Sequence, residues 1–541
     1  MIMAAPEWIE TGANVTAGLD LVALRASTMR IGYDLLDGIT TVTPSVRYFS
    51  FVSWITYRFW ARGGEDSDSA YLDFARRLEA AIVLGNLVSA PPGTPIASGL
   101  IGAEIDQQLG DGADLSLDIQ VQALGTRVYG GPLIQLGLLV SKPDGAVPRL
   151  SESRGLPLAK AVEKAVGATA LGRRLAGEVL PLTASREELA EFGALLRVNV
   201  FPPEEKAILL GALLPQAPVS PMERRRLSSY GAFLACAAGG QPKAEFRRML
   251  TEAVQRDRAL PSVLTPILDG WARYLVRDLL AVVHECALEA TLKALPPNAK
   301  DRNQAPQYLH PDEVIARTLE DGNDSAQMAL LDLGLIEKGE SWAALPFSLL
   351  DQRIHLRTSD RDYIANGIRF WAGGLQEPDL LRVAEQTGLA SPALLPVAWL
   401  LAERRVGPGV LAMLPDFRAL SHEGPWRLGL EQRVFPTLSR FREQGVTFGE
   451  AAAELTFVTV EQHLHTAWDR LANNGNDVAV LHSDGHSWAH RKSFSAGHMD
   501  SRLNQVRNWV QQLGLLTEGG LTQEGELVLQ EIITTLGREV S

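Results

Sequence analysis

The chain has little cysteine: Cys236 and Cys286 are the two among 541 residues. Two cysteines in a chain of this length provide neither a disulfide framework nor a thiolate cage for a metal ion. Long apolar runs are also lacking, since the most apolar stretches, 80–90 and 279–287, are too short or too interrupted to cross a bilayer. The first residues do not have the charged and apolar regions of a signal peptide. We therefore expect a cytoplasmic protein without a membrane span.

Familiar catalytic motifs are missing as well. The sequence contains no G-x-x-x-x-G-K-(S/T), no G-x-G-x-x-G and no G-x-S-x-G. No catalytic residue and no cofactor is therefore predicted, and a non-catalytic protein is favoured over an enzyme. The net charge of −13 argues against a protein that coats nucleic acid, because phosphate binding depends on local cations.

One short pattern occurs three times: a helix that ends in Leu-Gly-Leu-(Leu/Ile), followed by a polar turn. The copies begin at Leu136, Leu333 and Leu513. Their glycine can adopt the left-handed conformation that closes a helix, and the apolar pair after it can begin a short strand of a hairpin. The outer copies continue to a serine or threonine and a second glycine, over 150–155 and 521–525, and the middle copy lacks that glycine. The alternative for each copy is a helix cap without a hairpin.

In the outer copies, this order of elements resembles the second half of a winged helix, over about 110–165 and 475–541. The resemblance implies a fold that binds nucleic acid or other proteins. Helical periodicity covers most of the chain and strand signals are few. The expected fold class is therefore mainly α: a multi-domain helical protein with embedded winged-helix modules whose wings are short β-hairpins.

Length and linkers predict four domains, because 541 residues are too many for one hydrophobic core. The polar, proline-bounded stretch 296–306 is the best linker. We expect an N-terminal helical region with the first module, a helical domain that ends in a long helix, a helical region with the middle copy, and a C-terminal helical and winged-helix module: 1–165, 166–296, 307–420 and 426–541.

An aromatic-rich stretch lies near the N-terminus. From Thr43 to Trp54 it is similar to a Thr-x-x-x-Arg-Tyr-(Tyr/Phe)-Ser-Phe-x-x-Trp motif of large, uncharacterised helical proteins of bacterial phage-defence islands. The resemblance implies a defence context and assigns no catalytic residue. Aromatic rings beside arginines can stack bases of single-stranded nucleic acid or fill a helical core, and the apolar character on nearly all sides favours the core.

The last copy provides the candidate nucleic-acid interface. Its helix has apolar residues at helical spacing that should face inward: Leu503, Val506, Val510 and Leu513. Arginine, asparagine and glutamine pair bidentately with guanine and adenine edges of double-stranded DNA, and the opposite face is rich in them. The alternative is a solvated polar face that docks on a protein. The candidate residues are Arg491, Lys492, Arg502, Asn504, Gln505, Arg507, Asn508 and Gln511.

Six of the ten histidines lie near the C-terminus: His463, His465, His482, His486, His490 and His498. A hairpin is predicted over 478–490 with Asp484-Gly485 as a two-residue turn, which places His482 on the face opposite to His486 and His490. No carboxylate or thiolate completes a ligand spacing, so no metal ligand is predicted.

These observations predict a non-catalytic DNA-binding or DNA-associated component, with an antiviral defence or regulatory system as its context. Its expected partners are double-stranded DNA, through the C-terminal module, and the proteins of a multi-subunit complex. Two alternatives stay open: an adaptor subunit whose winged helices bind partner proteins, and a metal-dependent enzyme that uses the C-terminal histidines.

Overall fold

The computed structural model describes residues 20–40, 43, 45–89, 114–119, 126–141, 145–217, 220–238, 261–296, 306–358, 363–365, 368–371, 373–407, 428–497 and 502–538. Within these ranges the chain is mainly helical and its strands form short antiparallel pairs, which confirms the mainly α class with small hairpins. None of the helices in these ranges combines the length and the apolar character that a membrane span needs.

Helices make up most of the described residues. The helices are α1 (Arg25–Leu35), α2 (Arg47–Ala61), α3 (Asp68–Ser89), α4 (Thr126–Gln135), α5 (Gly155–Val166), α6 (Ala170–Ala176), α7 (Arg186–Leu195), α8 (Pro203–Leu213), α9 (Pro221–Ala238), α10 (Thr265–Ala294), α11 (Pro311–Asp321), α12 (Asn323–Asp332), α13 (Phe347–Arg357), α14 (Glu377–Gln386), α15 (Ser391–Arg405), α16 (Phe435–Gln444), α17 (Phe448–Asn474), α18 (Leu503–Gln512) and α19 (Gln523–Gly537). Two 3₁₀ turns (Ser262–Leu264 and Gly388–Ala390) and a π-helical turn (Leu430–Val434) precede α10, α15 and α16.

The strands are β1 (Asp114–Ser116), β2 (Leu139–Val140), β3 (Arg149–Leu150), β4 (Thr183–Ser185), β5 (Tyr363–Ala365), β6 (Ile368–Phe370), β7 (Leu481–Ser483), β8 (Trp488–His490), β9 (Leu516–Thr517) and β10 (Gly520–Leu521). Strand β1 pairs with β4, and every other strand pairs with its neighbour in the chain.

The chain forms two compact units. The first consists of residues 1–31, 247–260 and 268–499, and the second consists of residues 32–246, 261–267 and 500–541. The four domains expected from the sequence stay a prediction.

Helix α2 forms the centre of the second unit, because nearly every side chain along it is buried. The ring of Phe49 lies 6.4 Å from that of Tyr129 on α4 and 5.3 Å from that of Trp509 on α18, edge to face in both cases. The buried guanidinium of Arg47 donates to both carboxylate oxygens of Glu205 on α8, each at 2.9 Å. The stretch that resembles the phage-defence motif is thus a core helix, which confirms the core interpretation of its buried aromatic residues.

The long helix α10 contributes buried polar groups to the first unit, as its sequence predicts. The Nε2 atom of His284 accepts the indole N–H of Trp399 at 2.9 Å, and its Nδ1 atom lies 2.7 Å from the hydroxyl of Thr459. Burial lowers the pKa of His284 to about 3, so this histidine is a neutral core residue. The neighbouring Glu285 forms a buried ion pair with Arg25 of α1.

Candidate nucleic-acid interface

All three Leu-Gly-Leu copies end a helix in the same way. Gly137, Gly334 and Gly514 have φ angles of +68°, +64° and +72°, which lie in the left-handed region. The leucine after each glycine donates its N–H to the carbonyl five residues earlier, at 2.8, 2.9 and 2.8 Å in chain order. These bonds satisfy carbonyls that the end of the helix leaves without partners. The capping role predicted for the glycine is confirmed in each copy.

Two copies continue into a hairpin and a second helix. We call α4–β2–β3–α5 the first hairpin module and α18–β9–β10–α19 the second hairpin module. Their registers correspond, because Leu139 pairs with Leu150 and Leu516 pairs with Leu521. Residues 142–144, which hold the turn proposed for the first hairpin, lie outside the described residues.

The middle copy is a helix cap without a hairpin in the described segment that follows it. Instead, Pro346 forms an isolated β-bridge with Thr447, just before α17. This difference agrees with the absence of the second glycine from the middle copy.

A hydroxyl group links the cap to the following helix in both hairpin modules. Ser151 Oγ donates to the Gly137 carbonyl at 2.5 Å, and Thr522 Oγ1 donates to the Gly514 carbonyl at 2.7 Å. Each oxygen also accepts the backbone N–H of the second glycine, at 2.9 Å in the first hairpin module and 3.0 Å in the second. The hydroxyl therefore joins both ends of the hairpin, and we call this pair of hydrogen bonds the hydroxyl bridge.

The second glycine is required because the helix backbone touches the hairpin there. A Cβ atom at Gly155 would lie 1.9 Å from the carbonyl oxygen of Leu138, and one at Gly525 would lie 2.1 Å from that of Leu515. No side chain fits at such distances. The spacing Leu-Gly-Leu, Ser/Thr, Gly in the sequence thus encodes one continuous backbone arrangement.

Helix α18 is fixed to α2 through its inward face. Trp509 is buried, and its indole N–H donates to the carbonyl of Thr43 at 2.9 Å. The side-chain oxygen of Gln512 accepts the backbone N–H of Val46 at 3.1 Å. The predicted apolar face points inward, and Trp509 widens it beyond the four residues predicted for it.

Four of the candidate residues form the outward face of α18. They are exposed or half-buried and follow each other at i, i+3, i+4 and i+7, the spacing of one helix face. We call this set the polar stripe: Asn504, Arg507, Asn508 and Gln511.

Two other candidate residues turn towards their own chain. Gln505 is 9% exposed, so its expected position on the outward face was wrong. It lies one helical turn before Trp509, and the contact of Trp509 with α2 covers this flank. Arg502 has a φ of +57°, and its guanidinium lies 3.4 Å from the ring centroid of Tyr33, a cation–π contact.

The remaining two candidates, Arg491 and Lys492, belong to the first unit and contact the same residue. Arg491 forms an ion pair with the Asp477 carboxylate, and Lys492 Nζ donates to the Asp477 carbonyl at 3.3 Å. Hydrogen bonding to Arg491 lowers the pKa of Asp477 to about 2, and the same bond raises the pKa of Arg491. The polar stripe belongs to the second unit.

The second hairpin module carries few cations. Residues 502–538 contain three arginines and four glutamates, a net charge of −1. Glu518 lies exposed at the tip of the hairpin, and Glu524 is paired with Lys206 of α8 at 2.7 Å. Within the polar stripe, Arg507 alone carries a charge.

The C-terminal histidines are separated. His463 is buried on α17, where its Nε2 accepts the N–H of Val480 at 3.1 Å and its Nδ1 lies 3.0 Å from the carbonyl of Leu21. Burial lowers the pKa of His463 to about 4. In the part of the chain that the structure describes, no three histidine, cysteine, aspartate or glutamate side chains could hold a metal ion together.

The predicted hairpin over 478–490 is present, but its two-residue turn was wrong. Ser483 pairs with Trp488, which leaves a four-residue loop. The Asp484 carboxylate accepts the backbone N–H groups of His486 at 2.9 Å and Ser487 at 2.7 Å, an Asx turn that favours this longer loop. His482 and His490 still face opposite sides of the hairpin. His498 lies outside the described residues.

Comparison of the chain with protein-family models, with curated proteins and with solved structures found no match. The winged-helix resemblance of the outer copies stays a prediction, as does the resemblance to phage-defence proteins. Sequence reasoning missed Trp509 and Tyr33, which direct Gln505 and Arg502 inward. The aromatic character of Trp509, three residues after Val506, was the available signal.

Proposed function

We propose that the protein is a non-catalytic, cytoplasmic DNA-associated component of an antiviral defence or regulatory system. It contacts double-stranded DNA through the polar stripe. The observation that carries this proposal is the stripe itself, since four side chains with hydrogen-bonding groups project from one face of a helix that Trp509 fixes from behind. A helix with such a face suits the major groove, which admits a helix and displays donors and acceptors on every base pair.

The length of the stripe fits this use. Seven residues separate Asn504 from Gln511, which corresponds to about 10 Å along the helix axis and to about three base-pair steps. The hairpin is a poor phosphate contact, because Glu518 at its tip repels phosphate. Base edges, rather than phosphates, are therefore the expected contacts of this module.

The small number of cations predicts a particular salt dependence. A protein that neutralises one phosphate shows a slope of about −1 in a plot of log affinity against log salt concentration, whereas many contacts give a steep slope. Because base edges are the expected contacts, we expect a slope shallower than this value, and we expect Arg507→Ala to weaken binding with little change in the slope.

The test is the binding of a fluorescent duplex of about 20 base pairs, measured by anisotropy at about 50 mM salt and above. Arg507→Ala and Asn508→Ala should weaken binding. Gln530→Ala, which removes an exposed carboxamide from α19, is the matched control and should bind as the unchanged protein does. Absence of binding at the lowest salt, or equal binding by all variants, would overturn the proposal.

A second candidate function is that of an adaptor subunit, and the first hairpin module favours it. Ile134 on α4 and Val140 on β2 are 38% and 50% exposed, and apolar side chains at a helix end and a wing strand suit a protein partner. If this module holds a partner, Ile134→Ser with Val140→Ser will release a co-purifying protein and leave duplex binding intact.

A further inference from the structure

The polar stripe has a distinctive composition: three carboxamides and one guanidinium. A carboxamide presents a donor beside an acceptor, which matches N7 and N6 of adenine in the major groove. A guanidinium presents two donors, which match N7 and O6 of guanine. The chemistry of the stripe therefore differs from that of a phosphate-binding surface, which requires cations.

The most available part of the stripe lies within one and a half turns, at Arg507, Asn508 and Gln511. Among the described residues, no carboxylate lies within ion-pair distance of Arg507, and no hydrogen bond engages the carboxamide of Gln511. Their donors and acceptors thus face solvent and can meet base edges without the loss of an existing bond.

The buried Gln505 contacts the carboxamide of Asn508, which lies between Arg507 and Gln511 in the stripe. Asn508 Nδ2 donates to Gln505 Oε1 at 3.5 Å, which is a long bond along the helix surface. This contact directs the Asn508 amide nitrogen towards Gln505 and leaves the Asn508 oxygen and its second N–H for a base. Gln505 is therefore a positioning residue.

We propose that the polar stripe selects a short DNA element in which adenines adjoin one guanine, with Asn508 and Gln511 on adenines and Arg507 on the guanine. This inference rests on the proposed function and adds the class of sequence that the same site takes. A correct bidentate pair discriminates against the wrong base by about 5- to 150-fold.

The probe is a pool of duplexes of about 20 base pairs with a randomised centre, incubated with the full chain at about 50 mM salt, and the bound fraction is sequenced. The unchanged protein should enrich adenines beside a guanine. Asn508→Ala should abolish the adenine preference at one position and keep the guanine preference. Arg507→Ala should abolish the guanine preference and keep the adenine preference.

The role of Gln505 has its own readout. Gln505→Ala should weaken the adenine preference at the Asn508 position only, and Gln505→Glu, which keeps the acceptor oxygen, should restore it. The thermal midpoint of each variant shows that the chain remains folded.

Two failures are distinguishable. If no duplex is retained, the proposed function fails together with the inference. If duplexes are retained without a preferred base, or if Asn508→Ala leaves the enriched sequences unchanged, the inference is overturned and the proposed function stands.

Discussion

The first hairpin module presents Ile134 and Val140 to solvent, whereas the second presents the carboxamides and the arginine of the polar stripe. Behind these surfaces the two modules use the same capping glycine, the same hydroxyl bridge and the same glycine in contact with a carbonyl oxygen. The shared arrangement needs few defined positions, so the outward side chains are free to differ. One backbone arrangement therefore carries two kinds of surface in one unit.

The hairpins also differ in the helix that each contacts. In the first hairpin module, the Arg149 guanidinium lies 3.0 Å from the ring centroid of Trp60, whose indole donates to the Pro148 carbonyl at 3.0 Å. In the second, Glu518 and Gly519 at the tip are exposed, whereas Gly520 of β10 is buried beside Ala237 of α9. The first hairpin therefore contacts α2, and the second contacts α9.

The largest expected effect comes from the second glycine of each module. Gly155→Ala and Gly525→Ala should each lower the free energy of unfolding by about 4 kcal/mol, because the added methyl group meets a backbone oxygen. Gly211→Ala on α8 is the matched control, since no atom outside the local helix backbone lies within 4 Å of its Cβ position, and it should stabilise by about 0.5–1 kcal/mol. Urea unfolding of the full chain measures all three. Equal midpoints for Gly155→Ala and Gly211→Ala would refute the shared backbone contact.

A smaller effect is expected from the hydroxyl bridge. Ser151→Ala and Thr522→Val remove one donor and one acceptor each, and loss of such a cap costs about 1–2 kcal/mol. We expect the larger loss for Ser151, because it is buried while Thr522 is half-exposed. Denaturation midpoints check the order, and the reverse order would show that burial does not govern the strength of the bridge.

Alanine at the capping glycine should have a similar cost in all three copies. Gly137→Ala, Gly334→Ala and Gly514→Ala each force a left-handed conformation on an L-residue, at a cost of about 1–2 kcal/mol. Only the two outer variants should also loosen a hairpin, which hydrogen exchange of the strand amides detects. If Gly334→Ala leaves the global stability unchanged but speeds amide hydrogen exchange throughout the first unit, the interpretation of the middle copy as a helix cap alone would be contradicted.

The smallest effect is expected at Arg502, whose guanidinium stacks on Tyr33. Arg502→Ala removes a cation–π contact worth about 0.5–1 kcal/mol and should change duplex affinity by less than about twofold. Duplex titration beside Arg507→Ala measures the difference. A loss as large as that of Arg507→Ala would place Arg502 on the DNA after all.

The sequence predicts the features that depend on contacts between residues close together in the chain. The helix ends, the left-handed glycines and the presence of hairpins in the outer copies follow from residues within a few positions of each other. The direction of Gln505 does not, because it depends on Trp509 meeting α2, and the Trp509 indole bonds to a carbonyl 466 residues away in the chain. The length of the loop at Asp484 could not be predicted either, because the Asp-Gly pair is compatible with a two-residue turn and with a four-residue loop.

Such long-range contacts also decide which cations are available. Arg491 and Lys492 looked equivalent to Arg507 in the sequence, yet both contact Asp477. An ion pair formed across a hairpin cannot be read from net charge along the chain. The polar stripe therefore holds four of the eight candidate residues.

The most direct test of the account is duplex binding by two matched variants of the full chain. One carries Arg507→Ala, Asn508→Ala and Gln511→Ala in the second hairpin module, and the other carries Ile134→Ala and Val140→Ala in the first. We predict that the first variant loses duplex binding at about 50 mM salt and that the second binds as the unchanged protein does. Equal binding by the first variant and the unchanged protein would contradict the account.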